Sequence, residues 1–157
     1  MSGAGRPELT LDARGLRVVV VAGQWHTVIS DGLLAGAERA LIAAAADYSV
    51  VRVAGAFELP VVCQAALAAG ADAVVALGVI IRGGTPHFEF VSNAATDGLT
   101  RVALDSGKPV GFGLLTLDDE QQGIDRAGLP GSREDKGAEA AEAALQAALT
   151  IRNSFGR

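Results

Sequence analysis

The sequence predicts an α/β protein: a single-domain, doubly wound sandwich in which helices flank both faces of a four-stranded, mainly parallel sheet. Four short runs are apolar and rich in valine without alternating with polar residues, which is typical of strands covered on both faces. Between these runs, apolar residues recur at helical spacing, so the elements read βαβαβαβ. A chain of 157 residues has the length of about one such domain.

Local signals justify each element in turn. The predicted strands cover residues 17–22, 50–54, 73–78 and 110–117. The three long helices between them are predicted over residues 27–46, 59–69 and 86–106. Gly70 and Gly107 stop the second and third of these helices, because glycine favours the end of a helix. The run Asp118-Asp119-Glu120-Gln121 is similar to a capping box and predicts a short helix that ends at Gly128, and a last amphipathic helix is predicted over residues 137–152.

Composition and charge restrict the partners of the chain. Half of the residues are hydrophobic (50%) but only 4% are aromatic, which favours close-packed helices on a sheet over an aromatic-rich β-sandwich. The formal net charge of −5 argues against nucleic acid as a partner, so an anionic ligand would need a local patch. The single cysteine, Cys63, excludes an intrachain disulfide and is predicted to be a small buried hydrophobe. No cluster of metal ligands and no GxSxG, HExxH or CxxC motif stands in the sequence, which argues against zinc chemistry and hydrolase triads.

Location and assembly can also be predicted. No apolar run is long enough to span a membrane and residues 1–14 lack the hydrophobic core of a signal peptide, so a cytoplasmic protein with no membrane partner is expected. Residues 1–14 fit no local element, and we expect them to be either a mobile tail or an arm that pairs with a neighbouring subunit, set apart from a domain over residues 15–157. The positive mean hydropathy suggests apolar surface that a homo-oligomer would cover.

A glycine loop after the third strand is the strongest single indication of a ligand site. In a doubly wound sheet the ligand crevice lies outside the carboxyl ends of the strands, and residues 78–87 run from a buried strand end through glycines into a helix. Gly83 and Gly84 have no Cβ to block an approaching phosphate, and a helix start presents unpaired N–H groups. Thr85 is predicted as the N-cap and Pro86 as the first helical residue, which places His87 in the first turn. A phosphate cradle with a proton carrier beside it is therefore predicted here.

Residues after the other strands should gather along the same edge. Trp25 follows the first strand, where it could stack on a flat heteroaromatic ligand or simply fill a gap at the sheet end. Glu58 follows the second strand, where it could accept hydrogen bonds from sugar-like hydroxyls or be an ordinary acid at a helix start. Ala56 and Phe57 would offer backbone groups to the edge of a ring.

Three cationic side chains are further candidates for binding an anionic ligand. Arg126 suits a phosphate because its guanidinium is planar and bidentate, and Lys136 flanks the same loop. Arg82 lies in the glycine loop, but it could equally pair with an acid across a subunit interface. The sequence does not decide between these readings.

Four motifs, in this order and spacing, resemble the 6,7-dimethyl-8-ribityllumazine synthase family. They are Gly55-Ala56-Phe57-Glu58-Leu59-Pro60, Ala76-Leu77-Gly78-Val79-Ile80-Ile81-Arg82-Gly83-Gly84-Thr85-Pro86-His87-Phe88, Phe112-Gly113-Leu114-Leu115-Thr116, and Asp125-Arg126-Ala127-Gly128 with Asp135-Lys136-Gly137. The resemblance covers nearly the whole chain from about Gly15 and agrees with the predicted sandwich, which is of the flavodoxin-like kind.

The resemblance implies a transferase of riboflavin biosynthesis that makes the penultimate intermediate. Members condense 5-amino-6-(D-ribitylamino)pyrimidine-2,4-dione with 3,4-dihydroxy-2-butanone 4-phosphate, release phosphate and water, and use no metal or organic cofactor. Carried over by motif, His87 is the catalytic proton carrier. The substrate-binding residues implied are Trp25 against the pyrimidine; Ala56, Phe57 and Glu58 on the pyrimidine and ribityl chain; Val79, Ile80 and Ile81 lining the same pocket; Gly84, Thr85 and Arg126 on the butanone phosphate; Phe112 from the neighbouring subunit; and Lys136 near the phosphate end.

The resemblance also implies an assembly, and it leaves alternatives. Family members form homopentamers with active sites between subunits, and some build a 60-subunit capsid from twelve pentamers. The loop over residues 129–135 is similar to that of the pentameric members, so a pentamer is favoured with the capsid as the alternative. The other functions to weigh are an archaeal-type riboflavin synthase, a related fold that dismutates the lumazine, and a non-catalytic shell protein that binds flavin or lumazine.

Overall fold

The computed structural model describes residues 4–8 and 10–156, and in it four parallel strands form one sheet. The strands are β1 (Arg17–Gly23), β2 (Asp47–Val53), β3 (Ala73–Ile81) and β4 (Val110–Leu117). Their order across the sheet is β2-β1-β3-β4, and every neighbouring pair is parallel. The predicted sheet is confirmed, and the carboxyl ends of its strands share one edge, which is where the ligand crevice is expected.

Helices cover both faces of this sheet, which confirms the doubly wound sandwich. They are α1 (Thr27–Ala43), α2 (Leu59–Ala68), α3 (His87–Ser106), α4 (Glu120–Ile124) and α5 (Lys136–Phe155), and a single 3-10 turn, Ala56–Glu58, precedes α2. One core lies between the sheet and helices α1 and α5, and the other lies under α2 and α3. Cys63 is fully buried in the second core, as predicted, and its burial raises the pKa of the thiol to about 12.

The second strand differs from its prediction. Residues 50–54 were expected to form a strand covered on both faces, but β2 begins at Asp47 and most of its residues are exposed. The reason is its place in the sheet: β1 and β3 occupy the middle, and β2 is an edge strand. Exposed Ser49 and Arg52 suit such an edge, because solvent reaches them.

Other element ends also differ from their predictions; α5, predicted over residues 137–152, runs from Lys136 to Phe155. β3 continues to Ile81, so Val79, Ile80 and Ile81 belong to the strand end and not to the loop after it. Helix α1 ends at Ala43 and not at residue 46, because Ala45 takes a left-handed φ of 57° that a helix cannot contain. Helix α4 ends at Ile124 and not at Gly128; the chain then forms a hairpin-like loop closed by a bridge between Ala127 and Asp135.

The N-terminal segment lies on its own chain where the structure describes it. Ala13 is buried and its N–H donates to the Ala44 carbonyl over 2.7 Å, while Leu11 packs on the first core. Arg6 forms an ion pair with Glu142 of helix α5. Of the predicted arm over residues 1–14, positions 1–3 and 9 lie outside the described residues, and both the boundary after residue 14 and the pairing with a neighbour stay predictions.

Candidate active site

A pocket of about 580 Å³ opens at the carboxyl edge of the sheet, where three strands and helix α3 converge. Its wall comes from the loop after β1, the turn after β2, the end of β3 and the first turns of α3. The lining residues are Trp25, His26, Gly55, Ala56, Phe57, Glu58, Val79, Ile80, Ile81, His87, Phe90 and Val91. The structure thus brings together eight of the residues that the sequence nominated, and the apolar wall suits a flat ring.

Trp25 lies at the mouth of this pocket. Its side chain is 63% exposed, and the indole is tilted by 47° to the His26 ring at a centroid distance of 6.4 Å. A ring that merely filled a gap at the sheet end would be buried, so the exposure favours ligand stacking over that alternative. His26, which follows Trp25 in the sequence and is expected from it to face solvent, is exposed and also lines the pocket.

Glu58 lies at the end of the 3-10 turn that leads into α2. Its Oε2 accepts a hydrogen bond from the Gly55 N–H over 3.0 Å. This bond orients the carboxylate at the pocket wall and occupies only one acceptor site, so the group retains acceptor capacity toward a ligand. Glu58 is therefore both an acid at a helix start and a residue of the pocket.

His87 also lines the pocket, but its helix begins one residue later than predicted. Pro86 was expected to be the first helical residue; it has a ψ of 5°, and it precedes the helix, which begins at His87. The Thr85 hydroxyl accepts a long hydrogen bond of 3.4 Å from the His87 N–H, so Thr85 supports the helix start without being its N-cap. Beside Gly83 and Gly84 there is open space: a Cβ built on either glycine meets no heavy atom of the described residues within 4 Å, apart from its chain neighbours. An anion could approach this loop without displacing a side chain.

Arg82 is held within its own chain. Its guanidinium pairs with Glu89 over 2.5 Å and with Asp118 over 3.0 Å, and it lies 4.4 Å from the centre of the Phe88 ring. The sequence left open whether Arg82 binds a ligand from the glycine loop or pairs with an acid across a subunit interface. The structure shows Arg82 paired with acids, and both acids belong to its own chain. The Arg82 guanidinium lowers the pKa of Asp118, and the pKa of Glu89 is lowered by its own backbone N–H and then by Arg82.

Five predicted binding residues do not line the pocket of their own chain: Gly84 and Thr85 on the glycine loop, and Phe112, Arg126 and Lys136. Phe112 is half-exposed on the edge strand β4, and the Arg126 guanidinium donates to the Gln122 carbonyl over 2.9 Å. Lys136 pairs with Glu134 over 3.1 Å and with Glu139 over 3.3 Å. A backbone hydrogen bond of 2.9 Å from the Lys136 N–H to the Arg126 carbonyl brings these two residues side by side at the start of α5.

The sequence reasoning missed three lining residues outright. Phe90 and Val91 lie three and four residues after His87, so they share its face of helix α3, and helical spacing could have identified them. Gly55 is the first residue of the motif over residues 55–60, but a glycine has no side chain that would predict a place in a pocket wall. Among residues 4–8 and 10–156, no three His, Cys, Asp or Glu side chains are grouped where they could hold a metal ion, and no helix is long and apolar enough to cross a membrane.

Comparison with known proteins decides the family. The sequence model described as 6,7-dimethyl-8-ribityllumazine synthase matches residues 15–152 of the chain. The chain belongs to this family. Proteins named 6,7-dimethyl-8-ribityllumazine synthase from Leifsonia xyli and Clavibacter michiganensis are 72% and 70% identical to it, over 97% and 99% of this chain and 98% and 99% of theirs. The one from Streptomyces avermitilis is 56% identical over 98% of this chain and 96% of its own.

Membership in the lumazine synthase family confirms several predictions at once. The family is one of transferases that catalyse the condensation step of riboflavin biosynthesis, so the predicted family, enzyme class and function are confirmed. The four-stranded parallel sheet with flanking helices is the flavodoxin-like arrangement that was expected. Lumazine synthases act on small molecules, which is the class of ligand that the pocket suits.

Proposed function

We propose that the chain carries out the lumazine synthase condensation in the pocket at the carboxyl edge of the sheet, with His87 as its proton carrier. The observation that carries the proposal is the convergence of Trp25, Glu58 and His87 from three separate parts of the chain on one apolar pocket. An aromatic face, an oriented carboxylate and a titratable ring are the groups that joining a ribityl-pyrimidine to a ketone would use.

The pyrimidine substrate would occupy the part of the pocket next to Trp25. The exposed indole offers a face for stacking, and the end of β3 provides an apolar wall at Val79, Ile80 and Ile81. Ala56 and Phe57 would offer backbone groups to the ring edge. Glu58 would accept hydrogen bonds from the ribityl hydroxyls, because its carboxylate is already held by the Gly55 N–H.

The butanone phosphate would lie toward the glycine loop, where Gly83 and Gly84 leave room for an anion, and Gly84 and Thr85 would contact it. The pyrimidine amine attacks the ketone and water leaves to form an imine, which then loses phosphate by elimination. The second amine attacks the remaining carbonyl and a second water leaves as the ring closes. His87 is in place to move protons in these steps, and such general acid–base catalysis typically contributes about 10²–10⁴-fold. Holding two substrates together supplies much of the remaining acceleration.

A second copy of the chain would complete the site. Phe112, Arg126 and Lys136 do not line the pocket of their own chain. The pocket rim meanwhile exposes large apolar side chains, with Trp25 at 63%, Phe57 at 64% and Phe90 at 73%. An interface between copies would cover this apolar rim and bring the two cations of the neighbour toward the phosphate, where Arg126 and Lys136 would stabilise its charge. The homopentamer expected from the sequence is the assembly we propose.

The first test is an absorbance assay for lumazine formation from the two purified substrates. We expect product from the parent, a fall in kcat of about 100-fold for His87→Ala because general acid–base catalysis is lost, and residual activity from positioning alone. Arg126→Ala should mainly raise KM for the butanone phosphate, by about tenfold, because a charged hydrogen bond is removed. Product from the parent with an unchanged kcat for His87→Ala would remove His87 from the mechanism.

A further inference from the structure

We propose that Gly55 is a positioning residue for Trp25, and that the missing side chain at this position sets where the stacking ring lies. The effect on substrate rests on the proposed function, whereas the effect on the ring does not. Gly55 is buried, lies two residues after the end of β2 and lines the pocket with Trp25 and Glu58.

The contact between Gly55 and the indole is close. A Cβ built on Gly55 would stand 3.1 Å from both Cδ1 and Nε1 of Trp25, which is inside the usual contact distance of carbon atoms. The same Cβ would lie 3.5 Å from the Glu58 carboxylate, an ordinary contact. The pyrrole edge of the indole therefore rests against the backbone of Gly55, in space that any other residue would fill.

Backbone conformation does not explain the glycine. Gly55 has a φ of −157° and a ψ of −171°, which is extended backbone that any residue adopts. Its N–H donates to Glu58, and every residue except proline would keep that bond. What an alanine would change is the contact with Trp25, because the indole must give way to the added methyl group.

The consequence of a side chain at this position would fall on the ligand and not on the fold. The Trp25 side chain is 63% exposed, so a methyl group at residue 55 can push the indole outward without opening a core. The displaced ring would no longer lie where a pyrimidine stacks on it. Gly55 therefore sets the position of the ring that the pyrimidine would contact.

Gly55→Ala tests this directly, because Trp25 is the only tryptophan and its fluorescence reports the ring alone. We expect a change in emission and in quenching by iodide in the protein without substrate. We also expect KM for the pyrimidine substrate to rise between about threefold and tenfold, the worth of an aromatic stack, while KM for the butanone phosphate stays within about twofold. A structural defect would instead lower kcat and affect both KM values.

A double-variant comparison supplies the control. In a Trp25→Ala background, Gly55→Ala should change KM for the pyrimidine by less than about twofold, because the group it displaces is gone. If Gly55→Ala alone fails to fold but the double variant folds, the close contact with Trp25 is again supported.

Two outcomes would overturn the inference. One is unchanged fluorescence and an unchanged pyrimidine KM in Gly55→Ala. The other is changed fluorescence with an unchanged pyrimidine KM in an active enzyme, which would separate the ring position from substrate binding. If the parent forms no lumazine, the proposed function fails, and the fluorescence comparison alone decides whether Gly55 positions the ring.

Discussion

Arg82 shows how a single residue can organise a site from outside its pocket. Its guanidinium links Glu89 in the first turn of α3 to Asp118, which follows β4, and its backbone N–H donates to the Leu117 carbonyl over 2.8 Å. These contacts surround the glycine loop that the phosphate would approach. We therefore expect Arg82 to hold the loop and the helix start in place, although each ion pair is exposed and weak by itself.

Arg82→Met should make the free energy of unfolding depend less on pH in the acid range. In the folded protein the pKa values of Asp118 and Glu89 lie below their ordinary values of 3.8 and 4.5. Both carboxylates therefore stabilise the folded state fully at a pH above their ordinary pKa values. They lose this effect as the pH falls through their folded-state pKa values. The free energy of unfolding of the parent should exceed that of Arg82→Met at pH 7, and the difference should disappear in stronger acid. Urea unfolding at a series of pH values measures it.

Arg101→Met is the matched control for this prediction. Arg101 forms an exposed ion pair of 3.1 Å with Asp105, but both residues belong to helix α3. Its loss should cost less than the loss of Arg82, because it joins no separate elements. Equal stabilities of the two variants, or a difference that does not vary with pH, would contradict the role given to Arg82.

At the scale of the elements, the close packing of helix α5 on helix α1 depends on a small residue. Gly137, the second residue of α5, lies so close to α1 that a Cβ built on it would overlap the Leu33 carbonyl. Helix α5 also carries Lys136 at its start, and the Asp135 side chain caps it by accepting from the Ala138 N–H over 3.0 Å. The packing of α5 on α1 thus sets the position of a predicted phosphate-end residue.

Gly137→Ala should therefore destabilise the fold. The added methyl must move one helix or the other, and overpacking of this kind typically costs about 1–3 kcal/mol. Gly83→Ala is the control, because open space surrounds that glycine, and its free energy of unfolding should stay within about 0.5 kcal/mol of the parent. Denaturant unfolding of the parent, Gly137→Ala and Gly83→Ala measures these free energies. A Gly137→Ala variant as stable as the parent would show that α5 can shift freely.

At the scale of the whole molecule, the question is whether one chain makes a complete site. Phe112, Arg126 and Lys136 stand apart from the pocket, so the proposed assembly requires them to act in a neighbouring copy. Light scattering should report a pentamer. A cytoplasmic location, expected from the sequence, stays a prediction.

Mixed assemblies of two impaired variants test the sharing of sites. When His87→Ala and Arg126→Ala chains are unfolded, mixed in equal amounts and refolded together, about a quarter of the sites between neighbours should contain both intact residues. With the butanone phosphate well below its KM, where the KM effect of Arg126→Ala lowers the rate, lumazine formation should then exceed that of either variant refolded alone. Activity no higher than the average of the two separate samples would show that His87 and Arg126 of the same chain act together.

Sequence reasoning identified much of the site because parallel strands place distant segments at one edge. Trp25, Glu58 and His87 could be assigned to a common crevice from the order of strands and helices, without any distance between them. Phe90 was not found although it shares a helix face with His87, because helical spacing indicates a common face but not that this face lines a pocket. Gly55 was not found because it has no side chain to suggest a role. For Gly55 the decisive property is the absence of a side chain beside an indole thirty positions away in the sequence.

The sequence by itself determined the order of elements, the glycine loop and the family, because hydrophobic spacing, glycines, prolines and motifs are local properties of the chain. Only the tertiary structure decided that β2 is an edge strand, that Arg82 pairs within its own chain and that Arg126 lies away from the pocket. These facts depend on strand order and on distances between segments far apart in the chain. Local periodicity contains no information on such distances, so they emerge only when the helices and the sheet pack together.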